Sequence, residues 1–95
     1  MSQLTGTVAT PNAAKYIRQL CSHWGHKLEV TQGEGTGMVR FPMGTATFAA
    51  TATELNVTID AADAADAAQL KRVVESHLDR FAFREVPLSY AWSDA

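Results

Sequence analysis

Between His26 and Asp60 the chain offers four strand-like segments joined by connections too short to hold a helix, and this run constrains the fold more than any other feature. The segments are 26–31, 38–41, 45–52 and 54–60. Gly33-Glu-Gly-Thr-Gly37 joins the first two, Pro42-Met-Gly44 the next two and Ala52-Thr-Glu54 the last two. Connections this short join antiparallel neighbours, because a parallel pair needs a crossover of a dozen residues or more. The clearest alternation sets Leu55, Val57 and Ile59 against Asn56, Thr58 and Asp60, so one sheet face is apolar and requires a cover.

Two amphipathic helices flank the meander and supply that cover. Thr10 is suited to cap a helix and Pro11 to occupy its first position; Ala13, Ile17, Leu20, Cys21 and Trp24 then share a face. Gly25 is placed to close this helix in the left-handed conformation, and His26 to open the strand that follows. Asp63 is suited to cap a second helix over about 64–80. Leu70, Val73, Val74, Leu78 and Phe81 form its apolar stripe, with acids early and bases late. Leu4, Gly6 and Val8 alternate with Thr5, Thr7 and Ala9 as a first strand, and Val86, Leu88, Tyr90 and Trp92 as a last edge strand that tolerates Pro87.

The order strand, helix, four antiparallel strands, helix, tail strand predicts an α+β two-layer sandwich with both helices on one sheet face. Its opposite face presents Thr5, Thr7, Glu29, Thr31, Arg40, Thr45, Thr47, Asn56 and Thr58. That face is mostly small, uncharged and flat. The 95 residues form a single domain, 1–95, because a chain of this length supports one core.

Charge and composition narrow the partners. Ten acids against eight bases leave a formal charge of -2 and no concentrated basic surface, which argues against nucleic acid. No apolar run approaches the ~20 residues of a membrane span, and Met1-Ser-Gln-Leu-Thr-Gly6 has neither the basic nor the apolar region of a secretory signal. A lone Cys21 excludes an intrachain disulfide and suits a reducing compartment, so the expected location is cytoplasmic.

Few residues invite chemistry. His77 interrupts the apolar stripe of the second helix, where burying an imidazole without a partner costs about 1–3 kcal/mol. Two readings stand open: a core histidine satisfied by a backbone carbonyl, a sheet hydroxyl such as Thr47 or a water, or a ligand group at the floor of a pocket with Arg80, Arg84 and Glu85 at its mouth. The same three residues also suit an ion-pair network that fastens the tail together with Phe81, Phe83 and Trp92. His77, Arg80, Arg84, Glu85 and Trp92 are therefore the ligand-binding candidates. His23 and His26 are the only metal-ligand candidates, and weak ones, since a closed site normally needs four ligands. No cofactor is indicated. Gly33-x-Gly-x-Gly37 lacks the following helix of a phosphate loop and reads as a mobile hairpin loop. Cys21 lies on an apolar face and reads as a small core residue.

Thr5-Gly-Thr-Val-Ala-Thr-Pro11, Tyr16-Ile-Arg-Gln-Leu-Cys-Ser-His-Trp-Gly-His26, Gly37-Met-Val-Arg-Phe-Pro-Met-Gly44, His77-Leu-Asp-Arg-Phe-Ala-Phe-Arg-Glu85 and Tyr90-Ala-Trp92 together resemble the bacterial family called domain of unknown function 2218. The resemblance implies a small cytoplasmic bacterial domain, sometimes associated with siderophore-interacting flavoproteins, and transfers no catalytic residue. The element order is also similar to a TATA-box-binding-protein-like half and to the C-terminal domain of phosphohexomutases. Arg40-Phe-Pro-Met-Gly-Thr45 lacks the hydroxyl and carboxylate of the mutase phosphate loop, and the basic sheet face required for DNA is missing.

Three functional classes follow. The first is a non-enzymatic binding or accessory module linked to iron or siderophore physiology, meeting a small molecule or partner protein. The second is an interaction module that homodimerises through its Thr-rich face. The third is a small enzyme using His77 or His23 with Glu85, for which no nucleophile, base and orienting group stand in a recognised arrangement.

Overall fold

The computed structural model describes residues 2–82, 85 and 88–94. In chain order the elements are β1 (Ser2–Ala9), α1 (Ala13–Trp24), β2 (Glu29–Gly33), β3 (Thr36–Phe41), β4 (Gly44–Ala50), β5 (Glu54–Ala61), α2 (Ala64–Phe81) and β6 (Tyr90–Asp94). The strands form one sheet in the order β2-β3-β4-β5-β1-β6, and every pairing is antiparallel. Both helices pack on one face, α1 over β2, β3 and β4 and α2 over β4, β5 and β1. The two-layer α+β sandwich expected from the element order is therefore the observed architecture.

Register explains the cover. Leu55, Val57 and Ile59 stand opposite Val8, Gly6 and Leu4 on one side and Ala50, Phe48 and Ala46 on the other. These rows share the inner face with Val39, and Ile17 and Leu20 of α1 and Leu70, Val74 and Leu78 of α2 complete the core. Each of the larger side chains contributes roughly 1.5–3 kcal/mol by leaving water. The outward residues form the Thr-rich face, with one Arg40 to Glu29 ion pair at 3.1 Å.

Several local expectations change. The Gly33–Gly37 segment is not an open loop: Gly33 pairs with Thr36, so only Glu34 and Gly35 turn, and Gly35 takes the left-handed φ of 68°. Gly37 belongs to β3 because α1 lies directly on it; a Cβ there would stand 2.6 Å from Cys21 Sγ and 3.0 Å from Ile17 Cγ2. Gly25 keeps a right-handed φ of -62° and donates to the Cys21 carbonyl, so the chain winds on through Lys27 and Leu28, both donating to the Trp24 carbonyl. This extra turn delays β2 to Glu29 and leaves His26 ahead of the strand. Finally, β6 begins at Tyr90, while Val86 and Pro87 lie outside the described residues.

Of the two expected caps, the one on α2 forms. Asp63 Oδ1 accepts from the Asp66 N–H at 2.8 Å. At α1 the expectation fails: the N-cap position is Asn12, without a side-chain cap bond, and Thr10 and Pro11 lie ahead of the helix, where Thr10 Oγ1 accepts from the Asn12 N–H at 3.1 Å as a local turn.

Gly37→Val should destabilise the domain by about 1–3 kcal/mol, because the added methyls force α1 off the sheet. Urea unfolding checks this as a lowered midpoint. Gly33→Val, which meets only the movable Thr36 hydroxyl, should shift the midpoint less.

Candidate functional site

The apolar stripe of α2 is seated on the sheet through Leu70, Val74 and Leu78, and this leaves the helix two working flanks. His77 and Phe81 face α1, and Lys71, Glu75 and Asp79 face β6. His77 is half-buried rather than fully enclosed. Its Nδ1 lies 2.8 Å from the Val73 carbonyl oxygen. A carbonyl only accepts, so Nδ1 is the donor in this contact, and in the neutral ring Nε2 is the nitrogen with the lone pair. The sheet hydroxyl of Thr47 is not the partner, because Thr47 is exposed on the opposite sheet face.

The His77 ring meets the end of α1. Ring centres lie 5.0 Å from Trp24 and 5.1 Å from His23, and His23 also sets an edge against Phe81 at 5.9 Å. Trp24 is buried and held edge-on by Phe41 at 4.9 Å, which fixes the aromatic floor of this corner. His23 itself is exposed.

An open cleft of about 390 Å³ adjoins the corner, lined by Lys15, Arg18, Gln19, Ser22, His23 and Phe81. Four of these fall on the polar side of α1 at helical spacing. Gln19 Oε1 is buried and has no hydrogen-bond partner among the described residues. His23 also borders a second groove of about 350 Å³ with Trp24, His26, Lys27 and Leu28. Two cations, an imidazole, a hydroxyl and an unsatisfied amide thus converge on one surface of an otherwise acidic chain. Among the described residues no group of three His, Cys, Asp or Glu is placed to hold a metal.

The constellation drawn from the sequence is divided. Glu85 accepts from Thr10 Oγ1 at 2.8 Å, from Asn12 Nδ2 at 3.1 Å and from the Tyr16 hydroxyl. Its carboxylate is tied to the start of α1, roughly 16 Å along the helix axis from His23 at 1.5 Å per residue. Trp92 lies on the other flank of α2, donating Nε1–H to Glu75 Oε2 at 2.8 Å beneath Lys71 Nζ, 5.7 Å from its ring. Arg80 is exposed on the last turn of α2, and Arg84 lies outside the described residues. Lys15, Arg18, Gln19 and Ser22 did not stand out in the sequence; their signal was a polar stripe at spacings of three and four, the same pattern as any solvated helix face.

Ionisation on the far flank is one-sided. The Tyr90 hydroxyl donates to Asp79 Oδ1 at 2.7 Å, and burial, that bond and the charges of Asp79 and Glu75 hold the phenol well above its ordinary range. Burial likewise pushes the Cys21 thiol up, which removes it as a nucleophile at neutral pH.

The fold and cleft define a class: a two-layer α+β domain with a polar and aromatic groove between its helices. Residues 5–93 match the model of DUF2218, described as an uncharacterized protein conserved in bacteria, and the chain belongs to that family. It is similar to PA4090 from Pseudomonas aeruginosa, whose NMR structure shares 32% sequence identity over 98% of this chain and 96% of that one, with a TM-score of 0.84. No curated protein matches the chain. Among the described residues no helix is long and apolar enough to cross a membrane.

Glu85→Ala would leave the buried Thr10 hydroxyl and the Tyr16 phenol without their acceptor, at a cost of about 2 kcal/mol. Thermal unfolding should show the loss, with Glu85→Gln retaining part of the stability because the amide oxygen still accepts.

Proposed function

We propose that the protein is a non-enzymatic binding module that takes a small anionic aromatic ligand, of the catecholate type found in siderophores, in the cleft between α1 and α2. The observation that carries this reading is the unpartnered Gln19 amide oxygen beside two cations. An unpaired buried oxygen costs about 1–3 kcal/mol, which a ligand hydroxyl would offset by donating to it. Lys15 and Arg18 suit an ionised oxygen on the same ligand, and Phe81 and His23 offer ring surface for its aromatic body. A ligand with one O–H and one O⁻ on adjacent ring carbons meets all three requirements. Glu85 is committed to three partners and Cys21 is buried, which leaves neither free to act beside the imidazoles. A cytoplasmic location is part of this reading, since a lone free thiol suits a reducing compartment.

A second reading is favoured by the sheet register. Thr31, Met38, Thr47, Thr58, Thr5 and Ser93 form one row across all six strands, with no element among the described residues covering it. A flat face of small uncharged groups suits an isologous dimer.

Titration of the ¹⁵N-labelled protein with 2,3-dihydroxybenzoate should give saturable amide shifts centred on Lys15, Arg18, Gln19 and Phe81. Replacing both Lys15 and Arg18 by Ala should weaken binding by roughly 3- to 30-fold, as each exposed charge pair contributes up to about 1 kcal/mol. Unsaturable shifts, or shifts centred elsewhere, would sink the proposal. For the dimer, sedimentation at high micromolar concentration should show a two-chain species that Thr47→Lys dissociates; a strict monomer removes that reading.

A further inference from the structure

We infer that His23 and His77 form a two-imidazole site for a borderline divalent metal ion such as Zn²⁺, in which the protein supplies two adjacent ligands and leaves the remaining positions to an oxygen chelator. This deepens the cleft reading and rests on it for the identity of the chelator. Three observations support the pair. The first is separation. A zinc to nitrogen bond of about 2.0–2.1 Å places the metal roughly 3.2 Å from each ring centre, so two imidazoles at a tetrahedral angle have centres about 5.2 Å apart and two opposed ones about 6.4 Å. The observed separation is 5.1 Å. That separation fits adjacent positions on one ion, and it is also within the about 4.5–7 Å of ordinary ring packing, as in the 5.0 Å His77–Trp24 pair, so the tautomer and the access to solvent have to carry the distinction.

The second observation is the tautomer. Nδ1–H of His77 is spent on the Val73 carbonyl at 2.8 Å, which leaves Nε2 as its only lone pair. Metal-ligating histidines are commonly oriented in this way, by a backbone carbonyl on the other ring nitrogen. The third is openness. No third His, Cys, Asp or Glu among the described residues joins the pair, and His23 is exposed at the edge of the cleft. Two protein nitrogens leave at least two coordination positions for a bidentate ligand. Imidazole is a suitable donor for zinc, copper and nickel, so the class of ion follows from the ligand type. Gln19, Lys15 and Arg18 then border the outer side of the chelate.

Zn²⁺ alone, titrated into the full chain, provides the test. Long-range ¹H–¹⁵N spectra of the imidazoles should show one ion per chain, with His77 Nε2 and one His23 nitrogen shifting together. His77 should show the Nδ1–H form before metal is added. His23→Ala, at an exposed position that leaves the core intact, should weaken binding at least about tenfold, and His77→Gln similarly. Zn²⁺ binding unchanged in His23→Ala, or shifts confined to one of the two rings, would overturn the inference. If Zn²⁺ fails while dihydroxybenzoate still shifts Lys15 and Arg18, the metal site alone falls; if both fail, the cleft reading falls with it.

Discussion

The close seating of α1 on β3 at Gly37 is the constraint on which the rest of the molecule depends. A residue without a side chain lets Cys21 and Ile17 rest on the sheet backbone, with Gly37 Cα in place of a larger packing partner. The helix therefore lies low over β2, β3 and β4, and its last turn carries Trp24 down to Phe41 and Phe48. His23, one residue earlier, is turned to the side where α2 passes. Raising α1 by one methyl layer would separate His23 from His77 and open the aromatic corner, so packing at a glycine sets the geometry of a candidate site whose residues lie well before and well after it in sequence.

The second helix links the two halves of the domain through its opposed flanks. One flank meets α1 through His77 and Phe81. The other meets β6 through hydrogen bonds from Trp92 to Glu75 and from Tyr90 to Asp79. Glu85 closes the circuit by tying the chain after α2 to Thr10, Asn12 and Tyr16 at the start of α1. These contacts are polar groups satisfying one another at the border of the core, where an unmade bond is costly and a made one is worth more than at an exposed site. They explain why residues that look functional in the sequence, Glu85 and Trp92 above all, are engaged in holding elements together.

Much of the fold was legible because its signals are local. The alternation in Leu55, Val57 and Ile59, the cap at Asp63 and the stripe Leu70, Val74, Leu78 each depend on backbone period and near neighbours, and each appears in the structure as read. Glycine was harder. Gly33, Gly35 and Gly37 look alike in a sequence, yet Gly35 turns the chain, Gly37 admits a helix and Gly33 ends a strand. What a glycine is for depends on what approaches it, and that is a long-range fact. The candidate site was legible only at His77, because an imidazole in an apolar stripe is a local anomaly, whereas Lys15, Arg18 and Gln19 on a polar helix face are not.

By itself the sequence determined the element order, the antiparallel meander and the identity of the two faces, since all of these follow from hydrophobic period and connection length. Only the tertiary structure decided that β1 lies between β5 and β6, that Trp92 and His77 stand on opposite flanks of one helix, and that His23 meets His77 across the helix pair. The physical reason is that strand order and helix contact are settled by which surfaces fit together once the chain is closed. Neither residue type nor spacing records that fit until Gly37 and α1 are in place.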